Sequence, residues 1–159
     1  MSEITLRPVT DSDAEKLFKL VGDCFSEHEG VFLERDGYDA DLKAYATYMA
    51  DAGGQAFVVD GDDEVLALVS YLQDEGGRSV LKRIYLSNKL RGSGAGLILL
   101  RHVENLARAG GATEMELWTD TRFKRAHSFY EREGYVRQSQ TRHLGDISDT
   151  TEYCYVKGF

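Results

Sequence analysis

Apolar positions change their period several times along the chain, and glycines mark most of the changes. Leu17, Leu20, Val21 and Phe25 recur at helical spacing behind Thr10-Asp11-Ser12-Asp13, whose short polar side chains suit a helix N-terminus. Ahead of them, Ile4, Leu6 and Pro8 alternate with Thr5 and Arg7 and predict a short first strand. A loop from Ser26 to Asp36 leads to a second helix over 40–50, closed by Gly53-Gly54. Residues 55–60 and 64–71 read as strands joined by Asp60-Gly61-Asp62-Asp63, and Asp74-Glu75-Gly76-Gly77 returns the chain into a strand over 79–87.

After Ser87 the pattern changes. Arg91-Gly92-Ser93-Gly94-Ala95-Gly96 runs into a segment with Leu99, Leu100, Val103, Leu106 and Ala107 on one face, an amphipathic helix ended by Gly110-Gly111. Residues 114–119 predict a strand, 121–132 a short helix ended by Gly134, and 135–142 and 151–156 two more strands. Strand and helix alternate in the second half, which requires parallel neighbours, while the hairpins on either side require antiparallel ones. The expectation is an α/β (α+β) protein with one mixed sheet of about seven strands and about four helices covering both faces.

A length of 159 residues fits one domain spanning 1–159, and 42% hydrophobic residues with a single proline describe a packed chain. The 27 acidic residues exceed the 19 basic ones and give a net charge of −8, which disfavours nucleic acid and anionic membranes as partners. No basic region followed by an apolar one opens the chain, so no secretory signal is expected. Cys24 and Cys154 lie far apart, and His28, His102, His127 and His143 lack metal-ligand spacing. Together these predict a cytoplasmic protein without a metal.

The glycine loop is the strongest chemical signal. A strand that delivers Gly-Ser-Gly-Ala-Gly to a helix start presents backbone N–H groups at the positive end of the helix dipole, a ready site for phosphate. Arg91 adds charge there. No lysine follows Gly96, which excludes a P-loop; Gly92 and Gly94 are followed by Leu97, and Gly94 and Gly96 by Leu99, so the dinucleotide fingerprint lacks its third glycine.

With Arg91-Gly92-Ser93-Gly94-Ala95-Gly96 and the later Ala126-His127-Ser128-Phe129-Tyr130-Glu131-Arg132-Glu133-Gly134-Tyr135, the sequence resembles the GNAT superfamily of acetyl-CoA-dependent N-acetyltransferases along essentially its whole length. The resemblance implies the GNAT fold and transfer of an acetyl group to a primary amine by direct attack on the thioester of acetyl-CoA. It further implies that amides of Arg91, Gly92, Ser93, Gly94, Ala95 and Gly96 hold the coenzyme A pyrophosphate. Ile84, Tyr85 and Leu86 would pair with its pantetheine arm as another strand does. Tyr130 would be the acid that protonates the departing thiol.

Where relatives often carry a Glu on the strand ahead of the loop, this chain has Val80, which takes no proton. The base is then another group acting through water, or the amine arrives neutral; Glu27, His28, Glu29 and Glu34 are available, and the first three are candidate substrate-binding residues. Relatives often have Asn where Phe123 stands. Val80 also leaves open a second reading, a module that binds acyl-CoA without turnover. The acceptor implied is a small-molecule amine or a peptide; a homodimer is left open. The acidic balance suits a cationic amine drawn to an acidic cleft, while Arg83, Arg122, Lys124, Arg125, Arg137 and Arg142 could instead provide local charges for a neutral or anionic metabolite; Cys24 to Ala50 and the turn Leu144 to Asp149 shape the pocket.

Overall fold

The computed structural model describes residues 3–159. Its elements are β1 (Arg7–Pro8), α1 (Ala14–Ser26), α2 (Tyr45–Asp51), β2 (Gly54–Asp60), β3 (Val65–Gln73), β4 (Arg78–Leu86), α3 (Ala95–Ala109), β5 (Glu114–Asp120), α4 (Lys124–Arg132), β6 (Val136–His143) and β7 (Thr151–Gly158). The strands form one seven-stranded sheet in the order β1-β2-β3-β4-β5-β7-β6. Only β4 and β5 run parallel, joined by α3 as the crossover; the other neighbours are antiparallel. This is the mixed sheet with four helices that the alternation of periods predicts.

Strand alternation divides the core into two halves. On β2, Phe57 and Val59 face one side with Leu99, Leu100 and Val103 of α3 and Tyr130 of α4. Ala56 and Val58 face the other, against Leu17, Leu20 and Val21 of α1 and Tyr45 and Met49 of α2. Each helix buries the apolar stripe seen in its sequence, so both faces of the sheet are covered.

Strand ends shift by one or two residues, and three boundaries differ from the sequence reading by more than that, each for a local reason. Only Arg7 and Pro8 of the first strand pair with β2, because Ile4 and Leu6 pack on the core without a ladder partner. The second helix opens as a 3-10 turn over Ala40–Ala44 before α2 begins. Helix α4 starts at Lys124, later than Thr121, because the Arg122 amide donates to the Asp120 carboxylate (2.8 Å) and holds 121–123 as a turn. The guanidinium of Arg7 donates to both Asp13 and Asp60, fastening the first strand to the entry of α1 and the end of β2.

One buried charge cluster ties α3 to the last strand. Glu104 is fully buried and accepts from the Tyr135 hydroxyl (2.7 Å), Lys157 (3.1 Å) and Arg101 (2.6 Å). Burial alone raises a carboxyl pKa; the three donors outweigh it and hold Glu104 below its ordinary value of 4.5. A depressed pKa stabilises the fold above the unfolded value and loses that contribution as pH falls through the folded one. Glu104→Gln is therefore expected to cost about 3 kcal/mol at neutral pH by leaving its cations uncompensated. In urea titrations the gap between wild type and variant should narrow as pH falls below 4.5; a gap constant with pH would show that the charge of Glu104 contributes nothing.

Candidate active site

The site begins with a break in the sheet. Opposite Ser70 and Tyr71 of β3, strand β4 carries Arg83 and Leu81, so Lys82 is the extra residue of a β-bulge. The bulge reverses the alternation: Leu81, Ile84 and Leu86 all face the α3 side, while Arg83 and Tyr85 face the α1 side. It also bends the strand. The ladder between β4 and β5 runs only from Arg78↔Glu114 to Leu81↔Leu117. Past that point β4 keeps β3 on one side, through Ile84↔Val69, Tyr85↔Leu68 and Leu86↔Ala67, and has no strand on the other. A cleft of about 830 Å³ opens between the parted strands. Unpaired backbone at the middle of a sheet is a template for an extended ligand with its own amides.

The glycine loop closes one end of this cleft. Gly92 and Gly94 adopt φ of +78° and +81°, a region open to glycine at little cost, and Gly94 caps the N-terminus of α3. A Cβ built on either would meet no atom within 4 Å, so the loop's concave side is open to an incoming group. The first-turn N–H groups of α3 lack carbonyl partners by helix geometry, and the Ala95 amide donates to Ser93 Oγ (3.3 Å). Ser93 turns its hydroxyl back onto the Leu90 carbonyl, and Arg91 pairs with Glu27. The arginine that the sequence offers to a phosphate is thus already engaged by a carboxylate.

Tyr130 stands on the wall formed by α4. Its ring is buried among Phe129, Tyr135 and Tyr155, and its hydroxyl has no protein partner among the described residues and opens on the cleft. Burial raises its pKa well above the ordinary value, so the group carries its proton at neutral pH. Tyr85, across the cleft on β4, is pushed up to about 12 by burial, with Arg83 opposing the shift. Burial likewise pushes the Cys24 thiol up to about 11, and it donates to the Leu86 carbonyl (3.3 Å).

The remaining wall comes from the loop after α1 and the turn before β7, and these two segments are tied to each other. The Phe32 amide donates to Ser148 Oγ (2.8 Å), the Tyr38 hydroxyl to the Leu144 carbonyl, and Arg122 reaches the Gly30 carbonyl (3.2 Å) while pairing with Asp120. Arg83 is buried and pairs with Asp39 (3.0 Å) and Asp41 (2.9 Å), pinning the segment before α2 to the strand just past the bulge. Neither the bulge nor this clamp carried a signal in the sequence. Asp39 and Asp41 lie more than forty residues from their partner Arg83, beyond the reach of any local pattern.

Of the residues singled out from sequence, Ile84, Tyr85, Leu86, Arg91, Gly92, Gly94, Ala95, Gly96, Tyr130, Glu27 and His28 line this one cleft. Ser93 lies within the loop with its side chain turned inward, and Glu29 and Glu34 lie outside the cleft wall. Val80 sits on the paired part of β4 opposite Glu116, ahead of the opening. The acidity of the chain does not gather here: Lys82, Arg83, Arg91, Arg122, Lys124, Arg125 and Arg132 outnumber Glu27, Asp120, Glu133 and Glu152. The expected acidic cleft is in fact a basic one. Among the described residues, no group of three or more His, Cys, Asp or Glu side chains is arranged to hold a metal.

A family model described as the acetyltransferase (GNAT) family matches residues 14–135. The aminoalkylphosphonate N-acetyltransferase of Salmonella typhimurium is 28% identical over 142 residues, which cover 86% of this chain and 87% of that protein. An acetyltransferase from Streptococcus agalactiae superposes with a TM-score of 0.83 at 20% identity, covering 100% of both chains. The PaiA N-acetyltransferase of Thermoplasma acidophilum, solved in complex with coenzyme A, superposes with a TM-score of 0.72 at 15% identity over 99% of this chain and 100% of its own.

Proposed function

We propose, for a chain that belongs to the acetyltransferase (GNAT) family and is an acetyl-CoA-dependent N-acetyltransferase acting on amines, that the cleft between β4 and β5 is where the two substrates meet. The observation that carries this is the parting of β4 from β5 beside a glycine-capped helix N-terminus. In this reading the pyrophosphate sits on the loop amides that remain free, those of Gly92, Gly94 and Gly96, since the Arg91 and Ser93 amides already donate to the Asn88 (3.3 Å) and Leu90 (3.2 Å) carbonyls and the Ala95 amide to Ser93 Oγ (3.3 Å); the free edge of Ile84, Tyr85 and Leu86 pairs with the amides of the pantetheine arm. Bound there, acetyl-CoA supplies an activated acetyl group as its thioester. Tyr130, kept protonated by burial, is the acid beside the sulfur.

The acceptor we propose is a small primary amine that also carries an anionic group. Two observations support it: the basic lining of the cleft, and the similarity to an enzyme named for aminoalkylphosphonates. Glu27 and His28 would lie beside this acceptor. A cytoplasmic location belongs to the same proposal, supported by the free thiols of Cys24 and Cys154; no described helix is long and apolar enough to cross a membrane.

Thiol release from acetyl-CoA, followed with aminomethylphosphonate, spermidine and a lysine-containing peptide, is expected to be fastest with the phosphonate; a preference for spermidine or the peptide overturns the anionic class. Gly94→Val forces a β-branched residue to φ +81° and is expected to weaken coenzyme A binding at least about tenfold in calorimetry. Unchanged affinity would remove the loop from the cofactor site. Tyr130→Phe keeps the packing and deletes the proton, so turnover should fall about 100-fold with coenzyme A affinity retained; wild-type turnover in that variant rules out the acid role.

A further inference from the structure

Every carboxylate that lines the cleft is held by an arginine. Glu27 pairs with Arg91, Asp120 with Arg122, Glu133 with Arg101 and Glu152 with Arg142. A carboxylate so paired is a poor proton acceptor, because protonating it strands the cation. Val80 takes no proton, and lysine and arginine side chains only donate. The thiol of Cys24 and the phenols of Tyr85 and Tyr130 are kept protonated by burial.

His28 is different. Its ring is half-buried in the cleft wall, 4.5 Å from the Phe123 ring and tilted 40° to it, and among the described residues neither ring nitrogen has a hydrogen-bond partner. Phe123 lies 6.3 Å from Phe25, which lies 5.8 Å from Tyr85, so a run of rings leads from His28 to the free edge of β4. Phe123 gives the imidazole a flat apolar support. The charged groups around the ring are Glu27 and Glu29 on its own loop, Asp120 and Arg122 at the end of β5, and Lys124 and Arg125 at the start of α4.

We infer that His28 is the proton acceptor for the incoming amine, the role left vacant by Val80. The inference rests on the reading of the chain as an N-acetyltransferase of amines. The step is a single proton transfer. The ammonium nitrogen gives a proton to a ring nitrogen of neutral His28, directly or through one water, and the N–H bonding pair stays on the amine as the lone pair that attacks. The imidazolium then returns its proton to solvent. Imidazole is the side chain whose ordinary charge change falls between pH 5 and 8, which suits a base working near neutrality.

The test is the pH profile of kcat/KM for wild type, His28→Gln and Glu27→Gln, with acetyl-CoA and whichever amine of the panel above the wild type turns over fastest. Wild type is expected to lose activity on an acidic limb. His28→Gln should fall at least about tenfold at pH 7, lose that limb and approach wild type only above the pKa of the amine itself. Its coenzyme A affinity should match wild type in calorimetry, because the backbone cradle is untouched. Glu27→Gln should keep the limb. An unchanged limb in His28→Gln, or its loss in Glu27→Gln alone, overturns the inference. Wild-type turnover across the panel reports separately on the acetyltransferase reading.

Discussion

The parting of β4 from β5 after Leu81 and Leu117 is the constraint on which the rest of the molecule depends. Backbone N–H and C=O groups inside a sheet demand partners, and a strand that leaves its neighbour midway creates a row of unmet ones. The chain meets this with one bulged residue, Lys82, and with helices fixed on both sides of the gap. Helix α3, anchored through buried Glu104, brings the glycine loop to one end. The clamp of Arg83 on Asp39 and Asp41 holds the segment before α2 to the other side of the same strand. The opening is therefore built into a rigid frame, as a site for positioned chemistry requires.

The charges of the cleft are arranged against the charge of the chain. A net −8 is spread over the surface, while the walls of the opening hold more cations than anions, and each anion there is matched by an arginine. This pairing does two things. It holds the carboxylates in ion pairs, and it tempers the charge of the arginines in turn. Two groups on the walls stand outside these pairs: the buried phenol of Tyr130 and the imidazole of His28, whose ring nitrogens have no hydrogen-bond partner among the described residues.

Most of the fold was legible in the sequence because its signals are local. The change from period two to helical spacing located the strands and helices, and Gly94 and Gly134 marked a helix start and a helix end through conformations that glycine adopts readily. The boundaries that shifted did so through contacts outside the pattern: the amide of Arg122 on Asp120, or the packing of Ile4 and Leu6 without a ladder. The glycine turn ahead of α3 and the place of Tyr130 on α4 were legible for the same reason, since each rests on a short run of residues with a fixed order.

The sequence by itself determined the alternation of elements, the glycine turn that opens α3 and the place of Tyr130 on α4, because backbone preference and side-chain period act over a few residues. It did not determine which charges meet. Arg83 finds Asp39 and Asp41, Arg91 finds Glu27, and His28 finds Phe123 across long stretches of chain, so their pairing exists only once the sheet has been assembled. Net charge suggested an acidic cleft, and the tertiary structure made it basic, because composition sums over the surface while a cleft samples only the few side chains that the fold turns inward.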